Sequence, residues 1–212
     1  MIDHRSAQTP VRQQGDRPTC VAFAVSAAHE WHAADGVVRS TEDAMWAAHQ
    51  VNEVPGREET TVCWALEGLD RHQHSTEVAW PYSAPPWASG RPAAALDNAN
   101  RRSLPTWRDL GVVSFDTVTG ELATGRPIVL TLRVVAAAWY HAGDVVDAGP
   151  NLKTPGNHAV LAVGALEAPD RLIVKNSWGA GWGAGGYGYV TRRYGSPWVI
   201  GGEIMRSARA EG

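Results

Sequence analysis

Apolar residues recur at helical spacing in the first half of this 212-residue chain and at strand spacing in the second, the change falling at Pro105. A helix buries a stripe that repeats every three or four residues, whereas a strand buries alternate residues or a short continuous run, so one segment cannot serve both patterns. Thr19–Asp35 (TCVAFAVSAAHEWHAAD) places Val21, Ala24, Val25 and Ala28 on one helical stripe, with Pro18 before it and Gly36 as a stop after it. Helices are also predicted over about Thr41–Val51 and about Thr60–His72, where Val62, Leu66 and Leu69 recur. Ala79–Pro105 carries Pro81, Pro85, Pro86, Pro92 and Pro105 and is predicted to be irregular connection. Gly111–Phe115, Pro127–Leu132, His158–Val163, Leu172–Lys175 and Tyr187–Thr191 read as strands, the last two joined by a Gly- and Trp-rich loop as in a long hairpin. The pattern predicts an α+β fold: one domain over 1–212, with a helical lobe at about 11–104, a β lobe at about 105–206 and sites between them.

Composition bounds the function. With 44% hydrophobic and 19% charged residues the chain can bury a sizeable core, which excludes a disordered or collagen-like segment. Net charge is -3 and the 17 Arg and 2 Lys are scattered, so neither a nucleic-acid partner nor a membrane-surface partner is expected. Apolar stretches such as Val134–Tyr140 fall far short of the roughly 20 residues of a membrane helix. The polar N-terminus MIDHRSAQTPVRQQGD has no apolar core of a signal peptide and reads as a chain without a pro-segment, which predicts a cytoplasmic location if Met1 is the native start. Cys20 and Cys63 are too few for a disulfide scaffold and suit a reducing compartment.

Cys20 opens the first predicted helix, where unpaired backbone N–H groups and the helix dipole favour an anion. A lone Cys in an apolar helix reads first as a small buried hydrophobe. The context that overturns this is His158, opening one predicted strand, and Asn176, closing another. They lie 138 and 156 residues downstream of Cys20, an order and range that make Cys20 a candidate nucleophile. Other motifs are weaker. Gly181, Gly183 and Gly186 satisfy G-x-G-x-x-G but run into strand rather than helix, against a dinucleotide site. His29-Glu30-Trp31-His32 is one residue short of the zinc spacing, and His72 and His74 read as a solvated helix end, so no metal or other cofactor is expected.

Three blocks carry a family resemblance: QQGDRPTCVAF from Gln13 to Phe23, Asn157-His158-Ala159-Val160, and Lys175-Asn176-Ser177-Trp178-Gly179 with Gly181-Trp182-Gly183. Together, in this order, they resemble the signatures of papain-like cysteine proteases over nearly the whole chain. The resemblance implies the papain-like two-lobe fold, Cys20 as nucleophile, His158 as general base and then acid, and Asn176 as the residue that fixes the imidazole tautomer. It also implies Gln14 as an oxyanion-hole donor, Trp178 as a shield over the His–Asn bond, and Asn157, Ala159, Trp178 and Trp182 as substrate-binding positions. The resting Cys–His pair is expected to be ionic, and Glu30 resembles the family's buried structural glutamate.

The chain departs from that pattern at three places. Arg17 replaces a disulfide-forming Cys, Val21 stands where Trp usually follows the nucleophile, and no Gly-Gly segment appears near Gly56–Thr61. Cys63 is expected to be a buried free thiol. The leading expectation is hydrolysis of peptide or protein substrates through an acyl-enzyme. The same groups could serve a transpeptidase or amidase, or persist in a catalytically silent peptide-binding module. The weakened substrate wall and the expected location predict a narrow substrate range or a dedicated partner protein.

Overall fold

Three helices form where the periodicity predicts them: α1 (Cys20–Ala33), α2 (Thr41–Val51) and α3 (Val62–His72). In this computed structural model the described residues are all except 53–57, 84–89, 141–142, 149–155, 169, 195–198 and 207–212, with 199–206 described by backbone alone. Side chains cap the second and third helices: Ser40 Oγ accepts from Asp43 N at 3.0 Å and Thr61 Oγ1 from Trp64 N at 3.3 Å. The first has no such cap, because Thr19 Oγ1 lies 2.9 Å from Tyr82 OH instead. Nor does α1 bury a single stripe. Every residue from Val21 to Glu30 is buried, since α2 and α3 cover one side and the sheet covers the other. Gly68 of α3 is obligatory, because a Cβ there would sit 2.1 Å from the Ala47 carbonyl oxygen of α2. Leu66 and Leu69, fully buried at this contact, each contribute about 1.5–3 kcal/mol by leaving water.

The described part of the proline-rich stretch is largely irregular as predicted, holding α4 (Ala93–Leu96), a 3-10 turn at Asn98–Asn100 and β3 (Arg101–Arg102), which pairs with β2 (His74–Ser75) just before the stretch. The second half supplies most of an eight-stranded sheet. Its strands are β1 (Ile2–Asp3), β4 (Thr106–Asp109), β5 (Ile128–Val134), β6 (Val145–Val146), β7 (Gly156–Glu167), β8 (Asp170–Lys175), β9 (Tyr187–Thr191) and β10 (Val199–Arg206). They run β4-β10-β5-β7-β8-β9-β6 with β1 added to β7, antiparallel throughout except for β6 on β9. Gly111–Phe115 is not a strand. Ser114 accepts from Thr117 N at 3.0 Å and starts α5 (Phe115–Ala123), whose Phe115, Val118 and Leu122 enter the core. A further short helix, α6 (Ala136–Trp139), leaves the end of β5.

Both faces of the central strands are covered, which is why they read as unbroken apolar runs. Leu130, Leu132, Val160, Ala162 and Val174 face α5 and α6, whereas Val129, Ala159, Leu161, Val163 and Ile173 face α1. Strand alternation therefore sends His158 to one side of β7 and Ala159 to the other. None of the described helices is long and apolar enough to cross a membrane.

Candidate active site

Three chain segments meet at the start of α1. Cys20 begins the helix, His158 lies near the start of β7, and Asn176 follows the end of β8. Asn176 Oδ1 accepts from His158 Nε2 at 2.7 Å and from Ser177 N at 2.8 Å, so this atom must be the amide oxygen and Nε2 must carry the proton. In the neutral ring Nδ1 is then left as the base. Cys20 and His158 line the same cleft, of about 580 Å³ toward Gln14, Asp16, Tyr140 and Trp178 and about 560 Å³ toward Val21, Thr61, Thr131 and Ala159. Asn157 borders both parts.

Burial acts on both members of the pair. It pushes the Cys20 thiol up, against the backbone N–H groups of Ala159, Val21 and Cys20 itself. It pushes the His158 imidazole down to about 4, against the bond to Asn176. Taken one group at a time, both effects favour the neutral forms. Proton transfer from Sγ to imidazole creates two opposite charges together, whose attraction in a dry cleft offsets the cost that burial places on either alone.

Aromatic rings enclose the histidine. Trp178 lies 4.7 Å from the His158 ring and Trp139 meets it edge-on at 5.4 Å. Tyr140 stacks on Trp178 at 5.1 Å on the solvent side. Trp182 stacks on Trp139 at 5.8 Å, and its Nε1 donates to the Trp139 carbonyl at 2.9 Å, so its contacts are those of a support behind Trp178. Trp139 and Tyr140 were not among the residues singled out from the sequence. Their only signal was the apolar run Val134–Tyr140.

Gln14 is tethered from two sides. Its backbone N–H donates to Ser177 O at 2.8 Å and its Oε1 accepts from Ser177 Oγ at 2.6 Å, while its Nε2 donates to Arg17 O at 2.8 Å. An amide nitrogen has two hydrogens, so one remains for the cleft that Gln14 lines. Next to this splice, Gly179 N donates to Arg12 O at 3.0 Å and Gln13 Nε2 to Trp178 O at 3.2 Å. Glu30, buried in α1, accepts from Arg12 Nη2 at 3.1 Å, from Arg39 N at 2.8 Å and from Thr9, which fastens the N-terminal segment to the helix.

Three expectations need correction or fall outside the structure. His74 is not solvated but wholly buried, because β2 carries it beneath α1. Cys63 is half-buried, with Sγ 3.7 Å from an Asp109 carboxylate oxygen, since its side of α3 faces the sheet edge. Gly56 lies outside the described residues, although Thr60 and Thr61 do border the cleft. Among the described residues no group of three or more His, Cys, Asp or Glu could hold a metal ion.

The chain belongs to the papain family of cysteine proteases, whose model matches residues 1–204. Among solved structures it is similar to xylellain, a cysteine protease from Xylella fastidiosa, with a TM-score of 0.78 at 20% identity over 98% of this chain and 86% of that one. It also resembles digestive procathepsin L 3 of Tenebrio molitor, with a TM-score of 0.79 at 21% identity, over 95% and 68% of the two chains. These neighbours share the papain-like fold. Curated relatives include Peptidase 1 of Euroglyphus maynei, 26% identical over 207 residues, and cathepsin K of Mus musculus, 26% identical over 206 residues. The alignments cover 89% and 90% of this chain, which spans about 59% of the length of either relative.

Proposed function

We propose that the protein hydrolyses peptide bonds through an acyl-enzyme on Cys20. The observation that carries this reading is the 2.7 Å bond from His158 Nε2 to Asn176 Oδ1, which leaves Nδ1 as the base in the cleft that holds the thiol. Cys20 Sγ attacks the substrate carbonyl carbon while its proton passes to His158. The Sγ–C bond forms, the C=O π pair moves onto oxygen, and the Gln14 amide with the Cys20 backbone N–H receives the resulting charge. Collapse breaks the C–N bond, and His158 gives its proton to the departing amine. Water then attacks the thioester with His158 as base, releasing the acid and the thiol. Trp178, with Trp139 and Trp182 behind it, keeps water from the His–Asn bond, and Asn157 and Ala159 border bound substrate. An amine in place of that water would make the same site a transpeptidase.

Titration with an irreversible thiol-directed peptide inhibitor tests the reading. One equivalent attached at Cys20, with parallel loss of cleavage of a fluorogenic peptide, is the expected result. Cleavage that survives Cys20→Ala, or label found on Cys63, overturns it. Product analysis with an added amine acceptor separates hydrolysis from transfer.

A further inference from the structure

The loop leading into α1 is held on its helical side by a clamp centred on two residues with no assigned role, Arg17 and Tyr82. Arg17 stands where the resemblance leads one to expect a disulfide-forming Cys. Its guanidinium pairs with the buried carboxylate of Glu42 on α2, donating to Oε2 at 3.1 Å, and with Glu58 at 3.1 Å. It also donates to Ser83 O at 2.8 Å and lies 4.8 Å over the Tyr82 ring. That planar fork is suited to binding several acceptors at once while stacking on an aromatic face. The Tyr82 ring is held a second time by an edge contact to Phe23 of α1 at 4.9 Å.

The Tyr82 hydroxyl then joins both ends of the loop. Its single proton is donated to Gln14 O at 2.7 Å, so the 2.9 Å bond to Thr19 must have Thr19 Oγ1 as donor. Gln14 is thus gripped by Ser177 from the sheet side and by Tyr82 from the helical side, and its Nε2 is aimed by the carbonyl of Arg17 itself. We propose that Tyr82, braced by Arg17, is the positioning residue that sets the Gln14 amide as an oxyanion donor, through a non-covalent charge and aromatic clamp. The proposal rests on the reading of Gln14 as that donor.

Tyr82→Phe removes one hydroxyl and keeps the ring against Arg17 and Phe23. It should lower kcat about 10-fold while KM stays within about twofold, because a misplaced donor is felt where charge develops in the transition state. Affinity for a peptide aldehyde, whose adduct with Cys20 puts an oxygen in the same hole, should fall in proportion. The rate of Cys20 alkylation by iodoacetamide, which forms no oxyanion, should not change. In a Gln14→Ala background the Tyr82→Phe change should cost nothing further. Arg17→Lys, which keeps a charge against Glu42 but loses the fork, should repeat the pattern of Tyr82→Phe. Equal losses with and without Gln14, a parallel fall in alkylation, or an unchanged kcat and aldehyde affinity would each overturn the clamp. A wild-type protein that binds the aldehyde yet turns over no peptide counts against the peptidase reading, and the aldehyde series still decides the clamp.

Discussion

His29 and His74 meet Nδ1 to Nδ1 at 3.0 Å, 1% and 0% exposed, beneath the helical layer. His74 Nε2 donates to Ser40 O at 2.8 Å, so His74 Nδ1 is the acceptor and His29 the donor. Burial, with the nearby Arg39, holds His74 down at about 3, and burial with His74 and Arg39 keeps His29 well below 6.5. The unfolded chain therefore binds protons below about pH 6.5 that the folded chain refuses. The stabilisation is fully present above that pH and is lost as pH falls toward the folded values, at up to about 1.4 kcal/mol per unit for each histidine. Urea unfolding between pH 7 and pH 4 should show a falling midpoint. In His29→Gln the slope should be shallower.

The rate profile should be broad. With His158 at about 4 and the Cys20 thiol raised by burial, the active site keeps the one shared proton it needs from about pH 4 to above the ordinary thiol range. kcat/KM for a peptide without titratable groups should decline below about pH 4 and stay level through pH 8. An acid limb near 6.5 would show that His158 is solvated in the working enzyme.

Asn176→Ala removes the acceptor that selects the Nε2–H tautomer and also the bond that raises the His158 pKa. kcat should fall by about 10- to 1,000-fold with a smaller change in KM, and the acid limb should move to lower pH. A change in KM alone would limit Asn176 to substrate binding.

Gly68→Ala places a methyl against the Ala47 carbonyl and forces α2 from α3. The expected loss is about 1–3 kcal/mol, read as a lower denaturation midpoint. Gly120→Ala inside α5, where a Cβ meets nothing within 4 Å, is the control and should instead gain about 0.5–1 kcal/mol.

The three long helices, the β8–β9 hairpin and the convergence of Cys20, His158 and Asn176 were legible because each depends on local period or on motif order. Features fixed by remote chain were not. Gly111–Phe115 had strand composition, and only the Ser114 cap with Val118 and Leu122 beyond it makes the helix that follows. β4 is an edge strand and β10 its inner neighbour, and their pairing of Asp109 with Glu203 joins distant segments. Tyr140 gains a place at the cleft because α6 turns immediately after β5, and Tyr82 sits in proline-rich connection with no periodic signal. The burial of His74 follows from a two-residue strand pair too short to recognise by alternation.

The splice of Gln14 to Ser177 has a consequence for the order in which the chain becomes dangerous. The bonds between Gln14 and Ser177 join residues 163 positions apart, so they form only after the whole stretch between them has been made. Cys20 can sit on a finished helix long before His158 and Asn176 exist, and during that interval it lacks both the histidine that shares its cleft and the asparagine that holds that histidine. Because synthesis adds only about 5–20 residues each second, the thiol spends several seconds as ordinary cysteine. On the proposed function, long-range connectivity acts as a timer, withholding the Cys20 chemistry from a nascent polypeptide until His158 and Asn176 have been made.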